Sequence, residues 1–108
     1  MIYTLDEIRS RTLPIIQKYH IPAMYLFGSY ARGQAREDSD LDFLVDTAGT
    51  ELTSLLRLGA LYYDLEAAFE KKIDLITVCS IMQHTQMPSD IDFREAVLKE
   101  RVRLDAVA

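Results

Sequence analysis

Three short apolar runs, residues 23–27, 41–45 and 73–78, constrain this chain more than any other feature. Each has the length of a β-strand, and the third is rich in β-branched residues. Between the second and third runs, Leu52, Leu55, Leu58, Tyr62, Leu65 and Phe69 recur at helical spacing, with Thr50 placed to cap the helix and Lys71 and Lys72 near its end. A crossover of that length suits parallel pairing of the two strands it joins. Upstream, Thr4-Leu5-Asp6-Glu7 has the form of a capping box, and Leu5, Ile8, Ile15, Ile16 and Tyr19 continue as a helical stripe up to Pro22. Pro14 falls inside that stripe and predicts a kink rather than two elements. Residues 30–33 suggest one short helical turn and residues 80–88 an irregular stretch. A last helix with a weaker stripe is expected from Ser89 or Asp90 to about Leu104. The order αβαβαβα predicts an α/β (α+β) fold, with a mixed sheet of three or slightly more strands packed with helices. The 108 residues are expected to form a single domain, 1–108.

Composition narrows the function. The net charge is −5, against a main role in gripping nucleic acid, which requires a basic face. No apolar run is long enough to span a membrane. The first residues lack the basic-then-apolar pattern of a secretion signal, and the single cysteine, Cys79, excludes an internal disulfide framework. A cytoplasmic protein is expected, with Cys79 as a small buried hydrophobe.

Three aspartates carry the chemistry. Asp40 and Asp42 are two apart where the second strand begins, so they project to one face roughly 7 Å apart along the backbone. Two such carboxylates repel unless a cation lies between them or one holds a proton. Asp74 is second in the third strand, and parallel pairing would bring it to the same sheet edge. Gly28-Ser29 ends the first strand and reaches that edge if strands one and two are antiparallel. Gly28 permits a tight turn with close backbone approach, and the short helix starting near Ser29 would offer N–H groups to phosphate. A phosphate cradle beside metal-binding carboxylates suits in-line displacement at phosphorus.

The stretch Leu26-Phe27-Gly28-Ser29-Tyr30-Ala31-Arg32-Gly33, followed by Ser39-Asp40-Leu41-Asp42-Phe43-Leu44-Val45, resembles the core motif of the DNA polymerase β-like nucleotidyltransferases. Ten residues separate Ser29 from Asp40, a spacing similar to the minimal nucleotidyltransferases of HEPN–MNT toxin–antitoxin modules. Residues 69–76 resemble the segment carrying that family's third carboxylate. The resemblance spans roughly residues 5–78 and weakens beyond. It implies a nucleotidyltransferase fold in which Asp40, Asp42 and Asp74 hold two Mg ions, Asp74 helps to deprotonate the acceptor, and Gly28 and Ser29 hold the triphosphate of ATP. It also implies an antitoxin that transfers AMP to a tyrosine of a HEPN ribonuclease toxin. The short chain, without an added substrate domain, favours a protein acceptor.

Plainer readings compete. Asp40 and Asp42 alone can be solvated loop acids, and Asp74 a strand-edge acid. A calcium loop starting at Asp38 fails because Phe43 stands at the turn position and Gly49 at the twelfth. Arg32 is expected either to contact phosphate or to lie solvated, and Arg36 to be solvated. Tyr62 and Tyr63 are expected as core and surface of their helix. His20 and His84 lack zinc-ligand spacing. Two other functions compare with protein adenylylation: a non-catalytic antitoxin that masks its partner, and a transferase acting on a small molecule.

Overall fold

The computed structural model describes residues 2–52, 54–83 and 88–105; His84 lies outside them. Helix α1 (Leu5–Tyr19) leads into β1 (Ala23–Phe27), α2 (Gly28–Ala31) and β2 (Leu41–Asp46). Helix α3 (Leu55–Phe69), β3 (Ile73–Thr77), α4 (Val78–Gln83), α5 (Pro88–Glu100) and β4 (Val102–Arg103) follow. The strands form one mixed sheet in the order β3-β2-β1-β4. The β2–β3 pair is parallel and the two pairs made by β1 are antiparallel. The mixed sheet has four strands, the slightly larger case, because β4 adds an edge that the sequence pattern does not announce.

Local chemistry explains the first unit. The Thr4 hydroxyl accepts from the Glu7 N–H at 3.2 Å, and Glu7 accepts from the Thr4 N–H at 2.9 Å, completing the capping box. The helix continues through Pro14 as one element and stops at His20, whose left-handed conformation (φ 53°) lets its N–H reach back to the last carbonyls. On α3 the cap is Ser54, which accepts from Arg57, and not Thr50. Thr50 instead braces a turn, donating to the Thr47 carbonyl and accepting from Leu52.

Strand alternation separates two cores. Leu41, Phe43 and Val45 of β2, Met24 and Leu26 of β1 and Ile73 of β3 pack on one face with Ile8, Ile15, Ile16, Leu61, Leu65 and Phe69 from α1 and α3. The Tyr19 hydroxyl and Lys18 both reach Asp64, tying these helices together. On the opposite face Phe27 and Leu44 meet Ile81 of α4 and Val97 of α5. Asp42 and Asp74 share the parity of Leu44 and Ile76, so both project to this second face.

Several expectations need correction. Leu55 is 88% exposed, outside the buried stripe of α3, which runs through Leu61, Leu65 and Phe69. Cys79 is exposed, because it lies on α4 one position past the residue that packs against the sheet. Part of the segment expected to be irregular is helical, since α4 follows β3 directly and the Thr77 hydroxyl accepts from Ser80. The last helix stops at Glu100, and Leu104 belongs to the β4 end, where its N–H donates to Met24 at 2.8 Å and its side chain is buried. Among the described residues no helix is long and apolar enough to cross a membrane.

Candidate functional site

The register of the three central strands assembles the site. Asp42 lies level with Asp74 across the parallel pair and level with Phe27 across the antiparallel pair. Gly28, the next residue after Phe27, therefore arrives beside the Asp42 carboxylate. Its φ is +74°, and a Cβ at this position would overlap Asp42 Oδ2 and stand 3.0 Å from Cγ. Only glycine satisfies both the backbone conformation and the approach.

These residues line a cavity of about 360 Å³ between the sheet and α5, to which Gly28, Arg32, Asp42, Asp74 and Glu100 contribute polar groups. Burial, then a hydrogen bond with Asp74, then the charges of Asp74 and Asp40, push the Asp42 carboxyl up to about 7, with Arg32 opposing. In the absence of a cation, a proton held on Asp42 and hydrogen-bonded to Asp74 answers the repulsion among these neighbouring carboxylates.

The other predicted residues stand around this pair. Asp40 is half-buried and lies 3.8 Å from the Lys72 ammonium. Among the described residues no group of three or more acidic, histidine or cysteine side chains is gathered tightly enough to hold a metal by itself. Ser29 sits in α2, half-buried, with its carbonyl accepting from Gln34. Arg32 caps α2, makes a 2.9 Å ion pair with Glu100 and donates to Gln34. Lys71 donates to the Glu37 carbonyl and Lys72 faces Asp40, so both lysines brace the loop before β2.

The donor set fits magnesium. Carboxylate oxygens are the hard ligands it prefers, and it is commonly held by one or two carboxylates together with substrate phosphates rather than by a closed protein cage. The absence of a Cβ at Gly28 lets the Asp42 carboxylate sit against the turn, where any side chain would displace it.

The wall formed by α5 escaped the sequence reading. Phe93, Ala96, Val97 and Glu100 all line the cavity. Their spacing of three, four and seven residues is a helical stripe, a signal present in the sequence but masked by the exposed Ile91 and the charged residues between them.

An acidic pair at aligned strand starts, met by a glycine turn from the neighbouring strand, on a mixed sheet backed by helices, defines the nucleotidyltransferase class. The chain belongs to the polymerase beta nucleotidyltransferase family, which it matches over residues 11–102. It is 40% identical over 77 residues to a Methanocaldococcus jannaschii protein assigned as a protein adenylyltransferase, covering 71% of this chain and 81% of that one. It is 38% identical over 82 residues to the protein adenylyltransferase MntA of Thermococcus cleftensis, covering 72% and 81%. A crystal structure of a toxin–antitoxin with AMP-PNP has the same fold (TM-score 0.67, 20% identity), over 89% of this chain and 71% of that chain.

Proposed function

We propose that this chain transfers AMP from ATP to a tyrosine hydroxyl of a partner HEPN-type toxin and thereby acts as its antitoxin. The observation that carries the reading is the Asp42–Asp74 pair beside Gly28, all three lining one cavity. The relatives assigned as protein adenylyltransferases support the chemistry, and the toxin–antitoxin fold neighbour supports the setting. Asp40, Asp42 and Asp74 would hold two magnesium ions, which neutralise charge on the phosphates when bound. Gly28 and Ser29 bind the triphosphate through the backbone, and Arg32 adds a positive charge in the same cavity. The acceptor oxygen attacks the α-phosphorus, the bond to the β-phosphate oxygen breaks, and pyrophosphate leaves. Asp74 takes the proton from the acceptor hydroxyl.

Incubation with α-labelled ATP, Mg and the product of the adjacent gene tests this directly. Label should appear on the partner, and Asp40→Asn or Asp42→Asn should abolish it while circular dichroism stays unchanged. Transfer persisting in Asp42→Asn would exclude the assigned role.

The exposed Leu55, Leu56 and Tyr63 on α3 favour a second reading, masking of the partner by contact alone. Full protection of cells by the Asp42→Asn variant would select that reading over catalysis.

A further inference from the structure

The cavity is lined by two chemically different sets of residues. Beside Gly28, Arg32, Asp42, Asp74 and Glu100, its lining is Phe27, Leu75, Ile76, Phe93, Ala96 and Val97. Next to it lies a smaller hollow of about 120 Å³, which shares Ile76 and Phe93 with the first and adds Ser80, Ile81 and Asp90. Phe93 therefore stands at the boundary of both. Its ring is set edge-on to Phe27, with centroids 6.2 Å apart and an interplanar angle of 84°. This contact orients the ring while 51% of the residue stays exposed.

We infer that Phe93, with the Ile76–Val97 wall, is the subsite for the nucleobase of the donor nucleotide. The inference rests on the nucleotidyl-transfer reading above and names which residues would see the base. A nucleotide is two-ended, with anionic phosphates joined through a ribose to a flat, π-rich ring. The cavity presents both chemistries, carboxylates and a glycine turn together with an aromatic ring on an aliphatic wall. Its volume of about 360 Å³ falls within the range of roughly 300–1,000 Å³ common for small-molecule sites. The tether decides between the base and the acceptor's phenol ring. A base is bonded to phosphates held beside Gly28, so the apolar residues lining that same cavity are within its reach. The acceptor arrives on another protein, at the exposed Asp74.

The test compares two probes on the full chain by calorimetry, Mg-ATP and Mg-tripolyphosphate, which lacks base and ribose. Wild type should bind ATP more tightly than tripolyphosphate. Phe93→Ala should weaken ATP about tenfold, in the range of one lost base–aromatic stack, and leave tripolyphosphate binding unchanged. Phe93→Tyr, which keeps the ring, should restore ATP affinity. Equal weakening of both probes, or of neither, overturns the subsite while the triphosphate site stands. An unchanged ATP affinity with a raised KM for the acceptor protein also overturns it, assigning Phe93 to the acceptor ring. Failure of wild type to bind either probe removes the nucleotidyl-transfer reading, and the subsite falls with it.

Discussion

Gly28 meets two independent demands at one Cα. Its positive φ is costly for any L side chain, and the direction a Cβ would take is already occupied by the Asp42 carboxylate. Gly28→Ala should therefore cost about 1 kcal/mol through the backbone alone, readable as a lowered urea midpoint. It should also reduce AMP transfer at least tenfold, because the Asp42 carboxylate is displaced from its place opposite Asp74. Near-normal transfer in this variant would mean that the carboxylate position does not matter. The sequence shows Gly28 as a tight turn and the aspartates as a same-face pair from alternation alone. It does not show that Gly28 and Asp42 touch, because that depends on the register Phe27↔Asp42, which no local pattern encodes. Nor does it show Asp40 beside Lys72, a contact created by the Leu41 N–H donating to the Lys72 carbonyl at the start of the parallel pair.

Secondary-structure elements were legible in proportion to their length and periodicity. The capping box, the three central strands and the crossover helix each had a long or repeated signal, and the crossover length implied the parallel β2–β3 pair. The fourth strand has two residues, too few for alternation to register, and it forms because Arg103 and Val102 fall level with Tyr25 and Leu26. Beyond it, Leu104 is buried and Asp105 accepts from the Met24 N–H at 3.0 Å while binding Arg103. This clamp anchors the chain after α5, whose inner side walls the cavity. Leu104→Ala should lower stability by roughly 2–4 kcal/mol, as for other buried leucines, a large share of the roughly 5–15 kcal/mol typical of such domains. Urea unfolding measures it, and a loss under about 0.5 kcal/mol, the range of surface substitutions, would show that β4 is dispensable to the fold.

At the scale of the whole molecule, two sets of carboxylates oppose each other in pH. Asp64 sits below its ordinary range because the Tyr19 hydroxyl and Lys18 bind its charged form. Burial raises Asp105, but Arg103 and the Met24 N–H outweigh it and hold that group low too. Their contribution is present above the unfolded carboxylate value and is lost as the pH falls through the lowered folded ones. Asp42 acts in the reverse sense. Its folded value of about 7 exceeds the ordinary 3.8, so the folded state holds the extra proton between those limits. The stability this gives is complete below about pH 3.8 and disappears as pH rises through 7. Without divalent cations, the melting temperature of wild type relative to Asp42→Asn should therefore fall between pH 5 and pH 8, by a few degrees once solvent screening is allowed for. Taking the difference cancels Asp64 and Asp105, which both proteins share. At pH 8 the deprotonated pair is the form that attracts a cation, so adding magnesium should recover the lost degrees in wild type and leave Asp42→Asn unmoved. A pH-independent difference between the two melting curves would mean that Asp42 holds no extra proton when folded. Equal stabilisation of both by magnesium would move the cation elsewhere on this acidic surface.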